Sequence, residues 1–262
     1  MVPLGVGKFA AYVAIIGACH NAVARFFGSR PWFVSKSSAK QSGISQAAVN
    51  IGLAGLLCCM YAGALAQPDR AVLLADDGME TRMFGSPLSA ALITETLRLN
   101  LAMVLYECYF YAVHGKGLDL WAHHVLGLLV LLRALDGGQC AIYIAWAGIS
   151  EGTTVFLSLR ALLLESSQTA HPLYVVNGAF LWLSFLVLRV LWLPTCAWRL
   201  ARDIFIVPTS GLSARFEADA HLMLRQVLLW SCVFIWALST FWFGKITSGL
   251  LKVLFPRPKK SS

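Results

Sequence analysis

Seven stretches of mostly apolar residues divide this 262-residue chain, at roughly 5–24, 44–66, 87–113, 118–135, 138–162, 173–198 and 222–254. Each is close to or above the ~20 residues that an α-helix needs to cross the hydrocarbon of a bilayer. Within hydrocarbon a backbone must satisfy its own polar groups, so runs of this length read as helices. The expected fold is all-α, a polytopic transmembrane helical bundle of about seven spans. Hydrophobic residues make up 58% of the chain and charged residues 13%. A soluble domain averages about 45–50% and 25%, so little of the chain is left for anything soluble.

The net charge is +8. Its location explains it better than a nucleic-acid partner would. Residues 25–43 carry Arg25, Arg30, Lys36 and Lys40 with no acid, and the tail from 245 carries Lys245, Lys252, Arg257, Lys259 and Lys260 with no acid. Segment 67–86 has Asp69, Asp76, Asp77 and Glu80 against Arg70 and Arg82. Seven spans put both basic segments on one side and the acidic segment on the other. Basic flanks favour the cytoplasm, so the expected N-terminus is lumenal and the C-terminus cytoplasmic. The first span, with Lys8 and Ala22-Val23-Ala24, also resembles a secretory signal with its small-residue cleavage site. Arg25 immediately after it suits a retained anchor better.

Three regions follow. Residues 1–43 hold the first helix and a basic cytoplasmic loop, 44–254 the membrane domain, and 255–262 a cytoplasmic tail. Polar loops are expected at 28–43 and 199–221. Pro31, Pro68, Pro87, Pro172, Pro194 and Pro208 fall at or near proposed span ends, where helix breaking is tolerated. The seven cysteines form no Cys-x-x-Cys pair, so neither a disulfide framework nor a metal site is indicated.

Ionisable groups at membrane depth are costly and mark functional sites by default. Glu95 and Arg98 are three apart and should neutralise each other on one helix face. Glu107 has no local cation and should pair across helices. Asp119 and His123 are four apart and share a face, so this carboxylate is expected to orient His123. Adjacent helical residues point ~100° apart, so His123 and His124 cannot do identical jobs. One should face a cavity while the other bonds a neighbouring helix. Glu151 lies deep, with Arg189 or His124 as candidate partners. Together with Asn177 these groups predict a polar pocket that opens toward the cytoplasm inside a lipid-wrapped bundle.

The residues Asp119-Leu-Trp-Ala-His123-His124-Val-Leu-Gly, then Glu151-Gly-Thr-Thr-Val-Phe-Leu-Ser-Leu-Arg160, then Asn177 and Arg189 with Pro194, resemble the TLC domain. That family includes translocating-chain-associated membrane proteins, ceramide synthases and the neuronal ceroid lipofuscinosis cargo-receptor branch. The resemblance spans roughly 44–254. It implies endoplasmic reticulum or related membranes and lipid-linked roles. In ceramide synthases the histidine pair supports acyl transfer from acyl-CoA to a sphingoid amine. Those enzymes carry a longer polar stretch with further aspartates after the histidines. Here His124 is followed by an apolar run with only Asp136 beyond it, and no homeobox-like segment is present. The chain is more similar to the smaller TLC-domain proteins.

Two functions stay open on the sequence. One is a lipid acyltransferase with catalytic residues His123, His124 and Asp119, a lipid pocket of Glu107, Glu151, Asn177 and Arg189, no cofactor, and acyl-CoA as co-substrate. The other is a non-enzymatic lipid-binding or cargo-sorting protein. Lys259 and Lys260, fourth and third from the end, resemble the dilysine retrieval signal of endoplasmic reticulum membrane proteins. The expected partners are membrane lipids and, through the tail, coat proteins, with a homodimer allowed. A retinal protein needs a lysine in the middle of the last span, and Lys245 lies late in it. A diiron hydroxylase needs more clustered histidines than the six present.

Overall fold

A computed structural model describes residues 5–66, 87–115, 117–137, 140–205 and 219–255. The described residues are mostly helical and contain no strand. The helices are α1 (Val6–Gly28), α2 (Pro31–Val34), α3 (Ser38–Leu65), α4 (Pro87–His114), α5 (Leu118–Gly137), α6 (Ala141–Gly148), α7 (Gly152–Glu165), α8 (Pro172–Ser184), α9 (Trp192–Phe205) and α10 (Asp219–Leu254). A 3₁₀ turn, Ile149–Glu151, joins α6 to α7, and a π-helical segment, Phe185–Leu191, joins α8 to α9. The segments 67–86 and 206–218, Lys116 and the tail lysines Lys259 and Lys260 lie outside the described residues.

Six of the resulting rods are long and apolar enough to cross a membrane: Val6–Gly28, Ser38–Leu65, Leu118–Asp136, Ile142–Glu165, Pro172–Phe205 and Gln226–Val253. The seventh, α4, has the same 28 residues as α3 but carries Glu95, Arg98 and Glu107. All seven sequence stretches are helical rods. Two expected loops are shorter than the sequence suggested. α2 and the first turns of α3 occupy much of 28–43, because Pro31 is pre-set for a first helical position. α9 runs on to Phe205 into the expected 199–221 loop, since burying Leu200 and Asp203 holds that turn.

Six rods close into a ring. α3 packs on α4, α4 on α5, α5 on α10, α10 on the α8–α9 rod, that rod on α6–α7, and α7 back on α3. α1 lies outside the ring against α3 and α4. There Glu95 is held by Arg98 at 2.5 Å, by Lys8 at 2.9 Å and by the Tyr12 hydroxyl at 3.0 Å. The expected Glu95–Arg98 pair is therefore present, with α1 supplying a second cation.

Glycines bring the rods close where the ring turns inward. A Cβ on Gly148 would sit 2.4 Å from the Tyr61 ring, and one on Gly152 would sit 3.1 Å from Cys58 Sγ. Only a residue without a side chain lets α3 approach the 3₁₀ turn this closely.

Pro194 does not end a span. It sits inside the continuous Pro172–Phe205 rod. A proline has no N–H for the carbonyl four residues back, here that of Val190. The indole N–H of Trp236 on α10 donates to that carbonyl at 3.1 Å. The break in the ladder is thus mended from a neighbouring rod, as backbone breaks within a membrane require. Trp236→Phe keeps most of the ring and removes the donor. It is expected to lower stability by about 1 kcal/mol, read as a lower unfolding midpoint of the purified protein. Trp236→Tyr, which cannot reach the same point with its hydroxyl, should behave likewise.

Candidate functional site

The ring encloses a cavity of about 460 Å³, within the ~300–1,000 Å³ of typical ligand sites. On α5 its wall is Asp119, Leu120, His123, His124, Gly127, Val130 and Leu131. This is one helix face, recurring at three and four residues. The irregular joints supply the opposite wall. The 3₁₀ turn and the start of α7 contribute Ser150, Glu151, Thr153 and Thr154, and the π segment contributes Phe185 and Arg189. π-helical turns are rare and are frequent at functional sites.

Glu107 and His124 form the tightest part of the wall. Glu107 Oε2 lies 2.8 Å from His124 Nε2, and the two side chains are buried. The amide of Asn50 on α3 donates to Glu107 Oε1 at 2.7 Å. His124 Nδ1 lies 2.9 Å from the carbonyl of Leu120. A carbonyl only accepts, so Nδ1 carries a proton. One further proton lies between Nε2 and Oε2. Placed on either side, it leaves the pair without net charge, which is the arrangement a low-dielectric interior tolerates. The Tyr111 ring stands edge-on to the imidazole at 4.7 Å and closes it off.

His123 is placed differently. It lines the cavity, its Nδ1 is buried, and no hydrogen bond reaches that atom among the described residues. Its ring stands edge-on to Trp242 at 5.6 Å and to His124 at 5.0 Å. The division of labour expected of two adjacent histidines is present, with the identities exchanged. His124 is the oriented one, and its carboxylate is Glu107 rather than Asp119. Asp119 lies in the first turn of α5 and accepts from the indole N–H of Trp242 on α10 at 2.9 Å. That bond turns it across the ring instead of one turn down its own helix.

Glu151 and Arg189 both line the cavity, but no ion pair within 4 Å joins them among the described residues. Arg189 Nε donates to Thr153 Oγ1 at 2.7 Å, and Thr154 Oγ1 donates to Glu151 Oε2 at 3.3 Å. The guanidinium also lies over the Phe185 ring at 5.4 Å. Glu151 and Arg189 therefore balance each other in charge across the cavity while each is anchored locally by a hydroxyl. Asn177 is not part of this wall. It is buried between α8 and α7, where its amide donates to the carbonyl of Phe156 at 2.9 Å. Its side chain faces α7 rather than the cavity.

Three contributors were not legible in the sequence: Asn50, Tyr61 and Trp242. A lone Asn or Tyr in an apolar run carries no spacing signal, and Trp242 reads as an interfacial anchor. Tyr61 accepts from the Asn100 amide at 2.9 Å and also borders the cavity.

The family model for the TLC domain matches residues 101–248, more than half of the chain. The chain belongs to the TLC-domain family. The match starts inside α4 and ends inside α10, so both histidines, Glu107, Glu151 and Arg189 fall within it. This TLC-domain protein is a multi-pass membrane protein, and its family points to a lipid-related role.

The shared proton gives a test. Glu107→Gln can accept from Asn50 and donate to the unprotonated His124 Nε2, so it satisfies every partner without charge. Glu107→Leu leaves the Asn50 amide without its acceptor and His124 Nε2 with only the Tyr111 hydroxyl at 3.4 Å, at a cost of about 1–3 kcal/mol for each buried group. The Gln variant is expected to unfold within ~0.5 kcal/mol of the parent and the Leu variant far below it. This is measured by denaturant or thermal unfolding in a lipid-like detergent.

Proposed function

We propose that this protein transfers an acyl group from acyl-CoA to a membrane lipid inside the cavity. The observation that carries this reading is a buried imidazole, His123, with an uncommitted ring nitrogen on the wall of a mostly apolar chamber. Such a group is suited to take a proton. In the proposed step the amine or hydroxyl of the acceptor lipid attacks the thioester carbonyl, and His123 accepts its proton. The new acyl bond forms as the carbon–sulfur bond breaks, and the proton leaves on the thiol of CoA. Arg189, fixed by Thr153, supplies positive charge near the developing oxyanion. His124 and Glu107 support the wall beside His123 and do not themselves meet the substrate.

The protein is proposed to work in the endoplasmic reticulum membrane with its C-terminus in the cytoplasm. Lys259 and Lys260 then return it to that membrane by engaging coat proteins. A lipid carrier without turnover is the competing reading, and one experiment separates the two. Purified protein is incubated with acyl-CoA and mixed membrane lipids, and acylated product is followed by mass spectrometry. His123→Ala is expected to lose about 10²–10⁴-fold of the rate while retaining bound lipid. Bound lipid with no turnover in the parent protein would replace transfer with carriage. For the tail, Lys259→Ala/Lys260→Ala is expected to move the protein out of the endoplasmic reticulum, as seen by fluorescence microscopy. An unchanged distribution would remove the retrieval signal.

A further inference from the structure

The cavity is a bore with two ends. Neighbouring rods run antiparallel, as the Asn50–Glu107 and Tyr61–Asn100 bonds show for α3 and α4. At one end of the cavity lie Asp119 and Lys245; at the other lie Leu131, Ile144, Leu193 and Cys232. The axial distance from Asp119 to Leu131 along α5 is about 18 Å, and from His123 to Leu131 about 12 Å. A volume of about 460 Å³ drawn out over that length is a narrow channel, wide enough for one alkyl chain. α3 enters its wall at a single residue, Tyr61.

We propose that the Tyr61 ring is the end wall of this bore and sets the length of the acyl chain that the protein accepts. The inference rests on the acyl-chain reading of the cavity and names the feature that selects among chains. Tyr61 is fully buried. Its hydroxyl is pinned by the Asn100 amide at 2.9 Å. Its ring lies against the backbone of α6 so closely that a Cβ on Gly148 would stand 2.4 Å away. The ring is fixed at its tip and along its edge, so a longer chain cannot push it aside. An end wall made only of Leu131, Ile144 and Leu193 would yield by rotamer changes. A planar ring held from two helices does not.

The test compares chain length, not amount. The full-length protein is purified with its lipid, and bound acyl chains are released and measured by mass spectrometry. Turnover across a series of saturated acyl-CoAs is recorded beside it. The parent protein is expected to show one narrow length class. Tyr61→Leu removes the ring and should move the maximum to longer chains by one or more two-carbon steps. Gly148→Ala pushes the ring into the bore and should move it to shorter chains. Tyr61→Phe keeps the ring, so its profile should match the parent, although it unfolds sooner because Asn100 has lost its acceptor. An unchanged profile in whichever of Tyr61→Leu and Gly148→Ala folds would overturn the end-wall role while leaving the cavity reading intact. A parent protein with no acyl chain bound and none transferred would overturn both.

Discussion

Glu107 and His124 sit on successive helices, and neither could be buried alone. A carboxylate or an imidazolium in the hydrocarbon interior carries a desolvation cost of several kcal/mol. Sharing one proton removes the net charge. The two outer hydrogen bonds, from Asn50 to Glu107 and from His124 to the Leu120 carbonyl, satisfy what remains. The network ties α3, α4 and α5 into one side of the ring. It also commits both ring nitrogens of His124, so that of the two histidines on the cavity wall only His123 keeps a buried nitrogen without a hydrogen bond among the described residues. A single buried pair thus serves the fold and the site at once.

The rest of the wall depends on departures from regular helix. A straight α-helix offers the cavity one stripe of side chains. The 3₁₀ turn at Ile149–Glu151 and the π segment at Phe185–Leu191 change the helical phase, and Glu151, Thr153, Thr154 and Arg189 then converge on one chamber. Side chains from other helices bond backbone carbonyls beside these irregular joints. The Trp236 indole bonds the Val190 carbonyl, and the Trp192 indole bonds that of Trp146 at 2.8 Å. Several tryptophans are therefore structural ties within the bundle.

Helix existence was legible because apolar runs of membrane length have few alternative folds. Among the described residues all seven stretches are rods, and the differences are at their ends: α1 runs past 24 to Gly28, α3 begins at Ser38 rather than 44, and α9 runs to Phe205 rather than 198. The grouping of Glu107, Asp119, the two histidines, Glu151 and Arg189 around one cavity was legible from their place in these runs. Their direction around the helix was less so. His123 and His124 were separable by the helical period, but a period gives angles relative to a helix and not to its neighbours. The exchange of their roles follows from Glu107, which reaches across from α4, and from Asp119, which Trp242 draws away. Asn177 failed for the same reason, since its side chain turns to the Phe156 carbonyl on α7. Tyr61 could not be found at all, since its role comes from a glycine on α6 and an asparagine on α4 that meet it only in the folded ring.

The proposed function requires the ring to enclose one alkyl chain between His123 and Tyr61. A cryo-electron microscopy map of the protein in a lipid nanodisc tests it most directly. Continuous elongated density is expected along the cavity axis, its deep end against the Tyr61 ring and its polar end beside His123. A cavity collapsed by side-chain closure, or filled only by isolated water-sized peaks, would contradict it.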